Sequence, residues 1–160
     1  TMPFTPLHLG LGASCKAIAN KKFSLLIFSG VQVLMDIEPL IGIIRGWTTL
    51  HLYTHNLLGA LLIALLAVPI GKVMSEFCLR NLFKQADWQI TWQVATVSAL
   101  VGSFSHVFLD ALMHADMYPF YPLSYSQVLL NMIPYNFIFY GSLINFIFAA
   151  IVWLIREEKS

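Results

Sequence analysis

Apolar residues gather along this chain in long stretches, broken by short polar segments. A window near the ~20 residues that a helix needs to cross the hydrocarbon of a bilayer picks out four of them: Phe23 to Ile44, Asn56 to Val73, Ile90 to Met113 and Val128 to Ile155. The last is long and carries Pro134, which predicts a kink or an interfacial start. Ahead of them, residues 6–19 have a helical pattern with Pro6 in the first turn, but Gly10, Gly12 and Lys16 make this a weaker membrane segment, a short fifth helix. Between the second and third spans, KVMSEFCLRNLFKQADW sets Phe and Leu against Lys and Arg at helical spacing, the pattern of an amphipathic interfacial helix. The predicted fold is all-α: an integral membrane helical bundle of four strong transmembrane spans, a short N-terminal helix and an interfacial helix, in a single domain over residues 2–160.

Composition agrees with that pattern, because 58% of the residues are hydrophobic and only 11% are charged, far from the mix that keeps a soluble surface wet. A formal charge of +1 is too small to point to nucleic acid. Cys15 and Cys78 stand far apart with no CxxC spacing, so they read as packing residues. Thr1 ahead of Met2 reads as a leftover of an expression tag. The start MPFTPLHLGLG lacks the basic and apolar regions of a cleavable leader, and the first spans are expected to direct insertion.

The basic residues orient the bundle. Lys16, Lys21 and Lys22 precede the first strong span, Lys72, Arg80 and Lys84 fill the connection from the second to the third, and Arg156 and Lys159 close the chain. With alternating spans these fall on one side and leave Arg45 on the other, so the positive-inside rule makes the first side cytoplasmic. The expectation is a multi-pass protein of a bacterial inner membrane with a cytoplasmic C-terminus. Residues 45–55 and 114–127 would then face outwards.

Within this frame the acidic and imidazole groups collect at the outer end. Asp36 and Glu38 come late in the first span, His51 and His55 open the second, and His106, Asp110, His114 and Asp116 finish the third. His8 joins them if the short helix folds back, since His8 and Asp36 each lie about 14 residues from the turn at Lys21 and Lys22, or ~20 Å along a helix. The i, i+4, i+8 spacing of His106, Asp110 and His114 stacks them on one face. A mixed imidazole and carboxylate set suits zinc or a similar first-row metal, whereas calcium would want more oxygens. Uncompensated carboxylates near hydrocarbon are costly, and metal binding would account for them. The bland alternatives are specific: a lone His8 or His51 is as readily a hydrogen-bonded packing residue as a ligand. Glu38, followed by Pro39, has contact with Arg45 as its alternative, and Asp116 a role as loop carboxylate or cap. The aromatic run MYPFYPLSY suits an interfacial belt as well as a substrate wall.

TPLHLG near the start, DIE late in a span, HLYTHN with its Thr-His pair and HVFLDALMHADMYPFYP, in that order, resemble the YdjM/YbcI-like membrane-bound metal-dependent hydrolases from Met2 to about Ser124. That family is considered distant kin of zinc phospholipase C and the single-strand-specific zinc nucleases. The sequence departs from it at Glu38, where a second Asp is common, and at Leu52, where Arg often follows the His. The resemblance implies phosphoester hydrolysis with one to three zinc ions or another divalent first-row metal. It implies that Asp36, His55, His106 and Asp110 hold one zinc, that Asp110 bridges to a second near His8, and that His114 and Asp116 are further ligands; His51 is expected behind the ligands rather than among them. The expected activity is attack by a metal-activated water, with Asp36 or Glu38 as catalytic base, on a lipid-like phosphoester at the outer face, with membrane lipids as surroundings. Two other classes compete. Ion or metal transport predicts polar groups continuing to the inner side, and a scaffold with a structural metal predicts closed coordination.

Overall fold

The computed structural model describes residues 5–84 and 88–157. Lys159 and residues 85–87 of the expected interfacial helix lie outside the described residues. Five helices follow in order: α1 (Thr5–Ala19), α2 (Leu25–Arg45), α3 (Leu57–Asn81), α4 (Trp92–Met113) and α5 (Tyr135–Glu157), with a 3-10 turn at Asn20–Lys22 between the first two. No strand occurs among the described residues. Helices α2 to α5 are each long and apolar enough to cross a bilayer, and the chain is a helical membrane bundle.

The starts of α2, α3 and α4 are each set by a side chain that takes over an orphaned backbone donor. Ser24 accepts from the N–H of Ile27, Asn56 from Gly59 and Thr91 from Val94. Gly46 ends α2 in the left-handed region with φ 68°, which glycine adopts without steric cost.

Two boundaries differ from the sequence expectation. The basic segment after the second span is not a separate interfacial helix: residues 72–81 continue α3. Glu76 accepts from the N–H of Ile90, and Lys72 donates to both Glu76 and the Ile90 carbonyl. Those bonds clasp the incoming connection onto the last turns of α3, so these turns have a protein partner on their polar side. In the final stretch Pro134 neither kinks a helix nor lies in one. Residues 128–134 form turns, and α5 begins at Tyr135 immediately after it. Proline disfavours helix in the residue before it and donates no N–H, so it stands naturally at the boundary.

The core is built where α2, α3 and α4 meet, from Ile27, Val31 and Met35, from Ala60, Ala64 and Ala67, and from Ala95, Ala99 and Val107. Small residues on α3 and α4 let the backbones come close, which is how helices associate when lipid removes the hydrophobic drive between them. Helix α1 packs on α2 and on α5, and α5 reaches the rest of the bundle mainly through α1. Leu62, Leu65, Leu66 and Ile70 of α3, with Phe137, Ile144 and Ile147 of α5, face outwards, as lipid-facing side chains do.

The α1–α5 seam depends on Gly10, where a Cβ would stand 2.5 Å from the Ser142 carbonyl oxygen, on backbone that cannot swing aside. Gly141, one residue away on α5, has nothing within 4 Å of the same atom. Gly10→Leu is therefore expected to lower the detergent melting temperature by the equivalent of about 1–3 kcal/mol of overpacking, while Gly141→Ala leaves it unchanged or raises it. Equal melting temperatures for Gly10→Leu and wild type would refute the close seam.

Candidate metal centre

Consecutive antiparallel helices bring the start of α1, the second half of α2, the loop before α3 and the end of α4 to one end of the bundle. All five histidines of the chain and the carboxylates Asp36, Glu38, Asp110 and Asp116 meet there.

Asp110 stands at the centre, without measurable exposure. Its Oδ2 lies 3.1 Å from His106 Nε2 and 3.5 Å from His55 Nε2, and its Oδ1 lies 3.3 Å from His8 Nε2 and 3.9 Å from His114 Nε2. Asp36 Oδ1 is 3.4 Å from His106 Nε2. His51 completes the ring of imidazoles, stacked on His114 with centroids 4.4 Å apart and edge-on to His55 at 4.8 Å. Four overlapping groups of three result: His8, His106 and Asp110; Asp36, His55 and His106; His51, His55 and Asp110; and His51, His114 and Asp116. Within each group the possible ligand atoms lie within 4.8 Å of one another.

The far side of three rings is tied down, and the ties fix which nitrogen carries the proton. Gln32 donates through Nε2 to the Gly102 carbonyl at 3.0 Å, which turns its Oε1 toward His106 Nδ1 at 2.6 Å. An amide oxygen only accepts, so His106 Nδ1 is the protonated nitrogen and Nε2 presents a lone pair. His8 Nδ1 also approaches this nitrogen, at 3.3 Å. On His55, Nδ1 faces Thr54 Oγ1 at 2.9 Å, while that hydroxyl donates its own proton to Glu38 Oε2 at 2.5 Å. Thr54 must then accept from His55 Nδ1, and again Nε2 is left bare. His51 Nδ1 donates to Asp116, 3.0 Å from Oδ2 and 3.1 Å from Oδ1.

Three bare Nε2 atoms thus converge on a carboxylate that offers only lone pairs of its own. Nε2 of all five histidines and both oxygens of Asp110 are buried without a hydrogen bond, although the separations of 3.1–3.9 Å are short enough for ion pairs. Buried polar groups in native proteins nearly always have partners, and acceptor facing acceptor is repulsive in a medium of low dielectric. A cation between them would convert each repulsion into a bond, and neutral imidazole with carboxylate is the donor set for zinc or a neighbouring first-row metal. The residues present fit such an ion.

Electrostatics outside the membrane-spanning segments point the same way. Burial pushes His55 below the usual histidine range against the pull of Glu38, and pushes His114 down against the pull of Asp110. Both rings are thereby kept neutral and fit to ligate. Burial alone would raise the Asp116 carboxyl, but the Leu50 N–H and His51 hold it below the ordinary carboxylate range.

Placement of the predicted residues is uneven. His8, Asp36, His55, His106, Asp110 and His114 are brought together as a cluster. Glu38 is not turned to its centre: it accepts from the N–H groups of Leu52, Tyr53 and Thr54 at 2.6–3.2 Å and from the Thr54 hydroxyl, and it faces His55 Nδ1 at 3.5 Å. Asp116 accepts from the Leu50 N–H at 2.9 Å as well as from His51, so it stands behind His51, and His51 turns Nε2 inwards. Gln32 escaped the sequence reading. It is the one amide inside the first span and sits four residues before Asp36, hence on the same helical face; that spacing was its signal.

Comparison of the chain with family models, with curated proteins and with solved structures finds no match.

Zinc titrated into the detergent-solubilised protein is expected to raise its melting temperature in proportion to RT ln(1 + [L]/Kd). His106→Ala or Asp110→Ala should remove that response, and Cys15→Ala should keep it. Gln32→Leu, which leaves His106 without its acceptor, should weaken zinc affinity by about 10–100-fold, the usual size of such outer-shell effects. Zinc responses unchanged in both His106→Ala and Asp110→Ala would dismiss the centre.

Proposed function

We propose that the protein is a membrane-bound, metal-dependent hydrolase that cleaves a phosphoester of lipid-like character at the outer face of a bacterial inner membrane. The observation that carries this reading is the convergence of four buried histidine Nε2 atoms, those of His8, His55, His106 and His114, on the two unbonded oxygens of Asp110, with the equally unbonded His51 Nε2 beside them. The sequence resemblance to the YdjM/YbcI-like hydrolases supplies the reaction class. In this reading His8, His55, His106, Asp110 and His114 hold the metal, His51 joins them, and Asp116 and Glu38 orient His51 and His55 from behind. Zinc bound there would lower the pKa of a coordinated water and neutralise phosphate oxygens as charge builds.

Asp36 is the carboxylate placed to take a proton from the attacking water. It is at once close to His106 and partly open, with 26% of its side chain exposed, while Asp110 is sealed and Glu38 is engaged by the loop. Its exposure opens sideways. Val33 and Leu40, one turn either side on α2, and the adjacent Ile37 point outwards, so the approach to Asp36 runs along an apolar helix face. That approach suits a substrate with an acyl chain better than a water-borne ester.

The transport reading needs ionisable groups that continue down the bundle. Below Gln32 the buried side chains are Ile27, Phe28, Val31, Ala64, Ala67 and Ala99, and the polar ones are serines such as Ser24 and Ser98, which bond to each other through the Ser24 N–H. Among the described residues the cluster is one-sided, which supports the hydrolase over a conduit.

Two measurements check this. Asp36→Asn keeps an acceptor beside His106 but loses the charge that takes the proton, so turnover of phospholipids, lipid phosphates or nitrophenyl phosphate esters should fall by ~10² to 10⁴ while zinc content persists. Equal turnover by the variant would remove Asp36 as base, and no turnover by zinc-loaded wild type on the whole panel would favour a structural or transport role. For orientation, a reporter fused after Ser160 should report a cytoplasmic C-terminus; a periplasmic signal would invert the placement of the site.

A further inference from the structure

At the opposite end of the bundle from the histidines, the last turns of α1 and α5 and the first turn of α2 part around a cleft of about 410 Å³. Its lining is Ala13, Lys16, Ala17 and Asn20 of α1 and the turn after it, Leu25 of α2, and Ala149, Trp153 and Arg156 of α5. The side chains fall into two sets. Alanines, Leu25 and the face of Trp153 make an apolar floor, and Lys16 and Arg156 bring positive charge with no carboxylate in the described lining.

Both cations are held in place. Lys16 Nζ donates to the carbonyls of Asn20 at 2.8 Å and Phe23 at 3.0 Å and sits 5.4 Å from the centre of the Trp88 ring. An ammonium has three N–H donors, and those two carbonyls use two. Arg156 Nη2 reaches back to the Ile18 carbonyl at 3.5 Å, which draws the guanidinium over the end of α1. Lys21 and Lys22 lie in the adjoining turn, with Lys21 Nζ 5.2 Å from the Trp88 ring. The cleft lies where α2 begins and α5 ends, hence at the boundary of hydrocarbon and water, and Trp153 on its wall belongs to the residue type that settles at that depth.

We propose that this cleft is a binding site for one anionic phospholipid, with the phosphate between Lys16 and Arg156 and the upper acyl segment against Ala13, Ala149 and Trp153. Charge decides the occupant. A zwitterionic headgroup carries its own cation into a site that already holds two, whereas an anionic glycerophospholipid leaves the phosphate charge for them to neutralise, as basic pockets between transmembrane helices do. An inorganic phosphate would leave the apolar floor uncovered. The site is separate from the histidine cluster and stands whether or not that cluster is catalytic.

Native mass spectrometry of the detergent-solubilised protein, titrated with dioleoylphosphatidylglycerol, tests this. A single saturable lipid is expected on wild type. Lys16→Gln/Arg156→Gln should weaken it by about 30-fold, taking the usual contribution of one basic residue near a headgroup twice over, and Lys84→Gln, away from the cleft, should not. Ala149→Phe keeps every charge and fills the cleft, so it too should lose the lipid, which keeps the test decisive if the double variant fails to fold. Dioleoylphosphatidylcholine should show no saturable site, and inorganic phosphate should not displace the bound lipid. Equal retention by wild type and Ala149→Phe, equal losses in Lys84→Gln and the double variant, saturable phosphatidylcholine binding, or displacement by inorganic phosphate would each overturn the proposal.

Discussion

A carboxylate sealed inside a membrane bundle, with neither oxygen hydrogen-bonded, is the condition on which the rest of this structure turns. Asp110 has imidazole nitrogens at 3.1–3.9 Å and no donor among them that meets hydrogen-bond geometry. Burying such a group without compensation costs several kcal/mol in practice, so its surroundings are arranged for a positive charge. The outer partners make the arrangement one-directional. Gln32, Thr54 and Asp116 each hold an Nδ1–H, which commits the opposite nitrogen of His106, His55 and His51 to the centre.

That logic explains why the loop between α2 and α3 is ordered at all. Eleven residues without regular structure, from Gly46 to Asn56, would carry many unsatisfied backbone groups at a membrane boundary. Glu38, from inside α2, accepts three consecutive N–H groups of this loop, Asn56 donates to the carbonyls of Leu52 and Tyr53, and Asp116 takes the Leu50 N–H. The two carboxylates that stand back from the cluster are therefore the ones that give His51 and His55 a fixed backbone. Gly59 adds a steric condition, because a Cβ there would run into the carbonyls of Tyr53 and Thr54.

Much of this was legible in the chain. Four apolar stretches gave four spanning helices, three with starts off by one or two residues, because hydrophobicity is set by composition while those starts are set by single caps such as Ser24 and Thr91, and the last beginning seven residues late, after Pro134. The gathering of His8, Asp36, His55, His106 and Asp110 followed from helix rise and alternation alone. Other features were not legible. Whether a carboxylate faces the centre or the loop depends on which backbone donors come within reach, so Asp36 and Glu38, two residues apart on one helix, could not be told apart by spacing. The continuation of α3 through Lys72 and Arg80 depended on Glu76 catching the Ile90 backbone, a contact between residues that no periodicity links.

Of the residues in the cluster, only His8 comes from α1, and α5 is joined to the bundle mainly through α1. The molecule is thus two slabs, one of α2, α3 and α4 and one of α1 and α5, that share a face near Gly12 and Phe28 but are stitched at the histidine end by a single imidazole. An ion gripped from both sides would work as a rivet. Lateral tension in the surrounding bilayer, which pulls on the broad lipid-facing side of α5, would then be borne at the chemical centre itself, and the loading of that centre would set how stiffly the two slabs move together.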